Sequence, residues 1–196
     1  TYNGEIYNFK DLRDEISGPW LSDTDTEVVL RAYGKFGTEA FSKFRGMFAL
    51  AIWDNQNQTL VLARDSLGIK PLYYYASDNQ FIFASELRAL LATDLIPRRL
   101  SAAGIDSYLA TGSVEAPLTI IEGIKQLLPG HVLRVRAEDR IEIIDTEFAT
   151  HKPQTVESNR KDAVARLRHE LEESVRLHLV SDVPLGVFLS GGMDSS

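Results

Sequence analysis

Two stretches of this 196-residue chain combine residue types that could do chemistry: "NGE" at residues 3–5 and "SGGMDSS" at residues 190–196. Asn3-Gly4 is a strong short hairpin signal, because both residues accept the positive φ of a type I′ turn. The same polar triplet could instead serve a reaction, and on these residues alone both readings stand. The second stretch follows the apolar run "LGVFL". That order predicts a buried parallel strand with a loop at its carboxyl end, where open α/β sheets bind ligands. Gly191 and Gly192 let backbone N–H groups converge on an anion, and Ser190, Ser195 and Ser196 add hydroxyl donors. This is phosphate-binding chemistry. It differs from a Walker A loop, a G-x-G-x-x-G dinucleotide fingerprint and a G-x-S-x-G nucleophile elbow, all of which are absent. A strand running straight into the loop argues against a plain Gly/Ser tail.

Composition removes several classes of chemistry. There is no cysteine, hence no disulfide, zinc thiolate site or thiol nucleophile among these residues. The four histidines, at 131, 151, 169 and 178, show no metal-ligand spacing. Asp23 and Asp25 are placed as in a calcium loop, but the glycine such a loop needs is missing. A net charge of −7 disfavours nucleic acid or an anionic membrane as partner. No apolar run approaches a membrane span and no signal peptide is visible, so a cytoplasmic location is expected.

These residues need elements to position them. Residues 8–16 read as a short helix with Asn8 as N-cap, and "SDTDTEVVLRAYGKFG" as a second helix stopped by Gly37. "GMFALAIWD", "TLVLAR", "PLYYYA" and "QFIFAS" are β-prone runs separated by turn clusters. They are apolar at nearly every position, which a sheet with one wet face would not be. Their connections are too short for helical crossovers, so the strands are antiparallel. Sheets of this kind must pack on each other with helices outside, as an α+β, four-layer α/β/β/α sandwich. "SELRALLA" and "SAAGIDSYLATG" add helices, and "HVLRVR" with "RIEIID" adds a hairpin. A polar segment at residues 150–159 reads as a linker, followed by an amphipathic helix with Val164, Leu167, Leu171 and Val175 on one stripe. Trp53 and Tyr73 to Tyr75 are expected in the core, and His169 and His178 on the surface.

A family resemblance joins the two stretches. Residues 190–195 resemble the pyrophosphate loop of ATP pyrophosphatase enzymes. "NGEIYN" resembles the glutamine-site segment of class II, N-terminal-nucleophile glutamine amidotransferases, and "SDTDTEVVLRAY", "RGMFALAIWD" and "RDSLGIKPLYYY" match the same family. Amidotransferase first and pyrophosphatase loop second is the order found in glutamine-hydrolysing asparagine synthetases. The resemblance implies an N-terminal-nucleophile sandwich over residues 1–149, a linker at 150–159, and the first helix and strand of an ATP-binding synthetase domain over 160–196.

The resemblance also implies roles. The Asn3 side-chain amide and the Gly4 N–H would form the oxyanion hole for glutamine hydrolysis. Glu5 and Asp25, with Asn3 and Gly4, would bind glutamine, the two carboxylates holding its ammonium group. Leu189, Ser190, Gly191, Gly192, Asp194 and Ser195 would bind ATP, with Mg2+ arriving on the phosphates. The implied reaction makes asparagine from aspartate through an aspartyl-adenylate attacked by glutamine-derived ammonia, and small molecules are the implied partners. A homodimer is compatible with the family. The family's nucleophilic cysteine and carboxylate-gripping arginine are expected upstream of Thr1, so these residues alone look like an internal fragment and should not hydrolyse glutamine. Other carboxylate acceptors, or a non-catalytic glutamine-binding role, fit the same residues. Arg64, Asp65, Lys70 and Pro71 match a family segment too, and read equally as a turn with a structural ion pair.

Overall fold

A computed structural model describes residues 1–137, 141–149, 159–180 and 183–193. The chain divides into two compact units, Thr1–His151 and Lys152–Ser196.

The first unit is built on two antiparallel sheets. One contains β1 (Tyr2–Ile6), β2 (Gly46–Asp54), β3 (Thr59–Arg64), β7 (His131–Ala137) and β8 (Ile141–Glu147), in the order β1-β2-β3-β7-β8. The other holds β4 (Tyr73–Ala76), β5 (Phe81–Ala84) and β6 (Ile124–Gln126), in the order β5-β4-β6. Helices α1 (Phe9–Glu15), α2 (Asp25–Phe36) and α3 (Ala40–Lys43) supply Leu12, Val28, Val29 and Phe41 to a core shared with Ile6, Phe48, Leu50 and Ile52. Alternate residues of β2, Ala49 and Ala51, point the other way and pack with Leu62, Leu72, Leu127 and Leu133 between the sheets. The outer face of the second sheet is covered by α4 (Leu87–Leu91), through Leu90 against Ile124, Tyr73 and Ile82. Four layers result, α/β/β/α, as the unbroken apolar runs predict. A further helix, α5 (Ala102–Thr111), is capped by the Ser101 hydroxyl, which accepts from Gly104 N–H.

Asn3-Gly4 makes no turn. Both residues lie inside β1, paired with Ala49 and Phe48 of β2. Asn8 occupies the N-cap position of α1 without capping it by side chain. Its carboxamide instead bridges a distant segment, donating to Lys43 O and accepting from Arg45 N–H. Trp53, expected in the core, is 56% exposed. It continues the Ala49–Ala51 face beyond the part that the short strands of the second sheet cover.

In the second unit, α6 (Arg160–His178) is capped by Asn159 Oδ1, which accepts from Lys161 N–H. Its stripe of Val164, Leu167, Leu171 and Val175 is 56–59% exposed, and His169 and His178 are exposed as expected. The strand expected at residues 185–189 is not formed. A strand exists through its ladder, and among the described residues of this unit there is no second strand to pair with. The linker expected at 150–159 falls, up to residue 158, outside the described residues.

Candidate functional site

The chemistry-bearing triplet sits on an edge strand, and the ladder fixes which way each group faces. Thr1 and Ala51 exchange both backbone hydrogen bonds, at 2.8 and 2.9 Å, and Tyr7 N–H donates to Arg45 O at 2.8 Å. In an antiparallel ladder this alternates, so odd-numbered residues of β1 bond to β2 while Tyr2, Gly4 and Ile6 turn their N–H groups outward. The Ile6 N–H is taken by Asp25 Oδ2 at 3.0 Å. Gly4 N–H therefore faces the same open edge as Asp25, about two residues or ~7 Å along the strand.

Gly4 also has a packing reason to be glycine. A Cβ there would stand 2.2 Å from Met47 O and 2.6 Å from Phe48 Cα. Gly46, which pairs with Ile6, follows the same rule, since a Cβ there would lie 2.1 Å from Glu5 O. Both glycines sit in pairs without mutual hydrogen bonds, where facing backbones come closest.

Asn3 points to the opposite face from Tyr2, into a cleft of about 270 Å³ between the two sheets. Thr1, Ala49, Ala51, Leu72, Phe83 and Ser85 are among its lining residues. The cleft stays open because β2 presents alanines there, while its large side chains face the helices. Asn3 Nδ2 donates to Ser85 Oγ at 3.4 Å, which leaves its second N–H for another acceptor. A second cleft, near Thr38, Glu39, Ser42, Arg134 and Glu147, contains none of the residues singled out in the sequence.

Asp25 enters from the first turn of α2, where a carboxylate is favoured by the helix dipole. The loop leading to it is held tightly. Trp20 lies between two guanidinium groups, Arg13 at 4.6 Å and Arg31 at 4.7 Å from the ring centroid. Arg13 donates to Ser22 O and Arg31 to Pro19 O. Glu27 accepts from the N–H groups of Leu21 and Ser22, from the Ser22 hydroxyl and from Arg31. These donors, the Leu21 N–H foremost, hold the Glu27 carboxyl down at about 2. Asp25 Oδ2 also accepts from the Tyr2 hydroxyl at 2.6 Å. Glu5, half-buried on β1, does not line the cleft, and neither does Asp25.

Behind the site, Arg64 and Asp65 are 5% and 1% exposed. They form no direct side-chain ion pair; each instead binds backbone. Asp65 accepts from Phe48, Leu67, Ile69 and Lys70 N–H groups, at 2.9–3.2 Å. Arg64 donates to Lys70, Leu127 and Gly68 carbonyls. Burial pulls the Arg64 guanidinium below its ordinary range, opposed by the neighbouring Asp65 charge. Pro129-Gly130 joins the same knot, with Gly130 N–H donating to Asp65 O. The pair ties residues 65–72, ending at cleft-lining Leu72, to Phe48 opposite Gly4.

In the second unit, Leu189, Ser190, Gly191 and Gly192 are exposed, and Gly192 N–H donates to Ser190 Oγ at 3.4 Å. A Cβ on Gly191 would meet nothing. Asp194 and Ser195 lie outside the described residues. Tyr2 and Ser85, which contact Asp25 and Asn3, carry no sequence signal; only the fold brings them there.

Residues 1–160 match the glutamine amidotransferase domain family, and residues 166–196 match the asparagine synthase family. The chain belongs to the glutamine amidotransferase family. It is similar to asparagine synthetase (glutamine-hydrolyzing) 1 of Bacillus subtilis, 38% identical over all of this chain and 31% of the relative. A putative asparagine synthetase of Methanocaldococcus jannaschii is 35% identical, again over the whole chain and 38% of the relative. Amidase chry2 of Gibberella zeae is 33% identical over 99% of the chain and 29% of its own length. The chain thus spans about a third of these relatives. Among solved structures, the B. subtilis glutamine phosphoribosylpyrophosphate amidotransferase complexed with ADP and GMP superposes with a TM-score of 0.52. It covers 77% of this chain and 29% of its own, at 16% identity, and shares the layered fold of antiparallel sheets and helices.

Proposed function

We propose that this chain contributes the glutamine site and the start of the ATP site of a cytoplasmic, glutamine-dependent asparagine synthetase. The observation that carries the reading is the outward Gly4 N–H beside the Asn3 carboxamide, with Asp25 on the same strand edge. When a thiolate attacks the side-chain amide carbon of glutamine, negative charge develops on the former carbonyl oxygen. Asn3 Nδ2–H and Gly4 N–H would donate to that oxygen, each worth about 3–4 kcal/mol in the transition state. Asp25, with Glu5, would hold the substrate's ammonium at the other end. The attacking thiolate is supplied from outside these residues, since the chain has no cysteine. Collapse of the tetrahedral species, with a proton passed to the departing nitrogen, would free ammonia and leave a thioester that water hydrolyses to glutamate, restoring the thiol.

In the second unit, the Ser190 hydroxyl and the Gly191 and Gly192 N–H groups are a donor set that suits a phosphate. With Leu189, Asp194 and Ser195 they would hold ATP, whose α-phosphate the aspartate carboxylate would attack with loss of pyrophosphate, giving an aspartyl-adenylate from which ammonia displaces AMP. Among the described residues no cluster of three acidic or histidine side chains is arranged to hold a metal ion. Mg2+ would come with the phosphates. A second reading is the same architecture amidating another carboxylate acceptor, since a chain 33% identical to this one bears a name other than asparagine synthetase.

The test follows pyrophosphate and glutamate release side by side in the full-length protein carrying this chain. Ser190→Ala should lower aspartate-dependent pyrophosphate release at least tenfold while glutamate release persists. Pyrophosphate release at the parental rate would remove the ATP assignment. Pyrophosphate release with an acceptor other than aspartate, and none with aspartate, would select the second reading.

A further inference from the structure

We infer that Tyr2 is the positioning residue of the glutamine site, its hydroxyl fixing Asp25 so that one carboxylate oxygen is kept for the substrate's ammonium group. The inference rests on the reading that Asp25 holds that ammonium. Both contacts made to Asp25 fall on a single atom: Oδ2 accepts from the Tyr2 hydroxyl at 2.6 Å and from Ile6 N–H at 3.0 Å. Among the described residues no hydrogen bond reaches Oδ1. Two donors from different directions on one oxygen lock the carboxylate's rotation, and so aim Oδ1.

The two donors are unequal in kind. Ile6 N–H belongs to the strand and would be present with any side chain. Among the described residues the Tyr2 hydroxyl is the only side-chain donor to Asp25, and it crosses from β1 to α2. Burial, with the Asp25 carboxylate beside it, pushes the Tyr2 phenol well above its ordinary value, so it stays a donor at every pH where the enzyme could work. Tyr2 and Gly4 are alternate residues of one strand. The hydroxyl therefore registers the ammonium end of the substrate against the same β-strand that carries the Gly4 donor. A short carboxylate such as Asp25 has one main rotational freedom to lose, and Tyr2 removes it before substrate arrives.

The experiment is glutamine and ammonia kinetics on the full-length protein for Tyr2→Phe, Asp25→Ala and the double variant. Tyr2→Phe should raise the glutamine KM about tenfold, the size of one hydrogen bond to a charged group. Its kcat should stay within about twofold, because the ammonium contact is made in ground and transition states alike. Synthesis from free ammonia should be unchanged, which a general loss of folding would not allow. In the Asp25→Ala background, Tyr2→Phe should have no further effect. A normal glutamine KM for Tyr2→Phe alongside a raised one for Asp25→Ala overturns the role of Tyr2 alone. A normal KM for Asp25→Ala overturns the ammonium assignment itself. Additive effects, or equal damage to ammonia-dependent synthesis, would make Tyr2 a packing residue.

Discussion

Replacing Asp65 with Asn should destabilise the first unit by about 3 kcal/mol, although the change is nearly isosteric. Each Asp65 oxygen accepts two backbone N–H groups, Leu67 and Ile69 on Oδ1 and Phe48 and Lys70 on Oδ2. An Asn amide has one acceptor end. Whichever way it turns, its NH2 faces two N–H donors, and those donors lose their partner. Each buried donor left unsatisfied costs about 1–3 kcal/mol, so the pair costs about 2–6. The Phe48 bond is fully buried, whereas the Leu67, Ile69 and Lys70 bonds are only partly so. The amide will turn to keep Phe48 satisfied, which puts the loss toward the lower half of that range. Both tryptophans, Trp20 and Trp53, lie in the first unit. Urea unfolding followed by tryptophan fluorescence therefore reads this unit directly. The midpoint should fall with the slope unchanged. A loss below about 1 kcal/mol would refute the claim that this carboxylate organises residues 65–72.

Gly4→Ala should cost at least about 1–3 kcal/mol, since the new methyl would collide with backbone atoms of β2 rather than with a movable side chain; thermal melting checks this, and a parental melting temperature would contradict it. The acid limb of stability should carry a Glu27 signature. Its folded-state value lies near 2, below the ordinary 4.5. Its contribution is thus complete above pH 4.5 and is lost as pH falls through 2. Glu27→Gln should flatten the pH dependence of stability between those limits, measured by urea midpoints at stepped pH, and an unchanged slope would contradict the assignment.

Much of the sandwich is legible in the sequence because burial on both faces leaves a direct mark. β2 and β3 are apolar at consecutive positions, and Phe48, Leu50 and Ile52 meet helices while Ala49 and Ala51 meet the second sheet. The alternation of large and small along β2, readable in "MFALAI", is what opens the cleft beside Asn3. Gly4 is ambiguous when read locally. Asn3-Gly4 has hairpin chemistry, yet its pairing with β2 makes it strand, and the reason for Gly4 lies across the ladder at Met47 and Phe48. Trp53 is exposed because the short strands of the second sheet stop before reaching it, and sheet extent is not written locally. The Asp25 clasp and the Asp65 knot were hidden for a related reason. Their partners are backbone N–H groups and a tyrosine hydroxyl, which have no compositional signal and are brought together only by the folded path of the chain.

The central claim is that Asn3 and Gly4 stabilise charge on the oxygen of a glutamine amide. Asn3→Ala in the full-length protein addresses it with little risk to the fold, because Asn3 is exposed and, among the described residues, its side chain makes a single hydrogen bond, the long one to Ser85. Glutaminase kcat should fall about 10²–10³-fold with the glutamine KM little changed, while synthesis from ammonia continues. Glutaminase turnover at the parental rate would contradict the account.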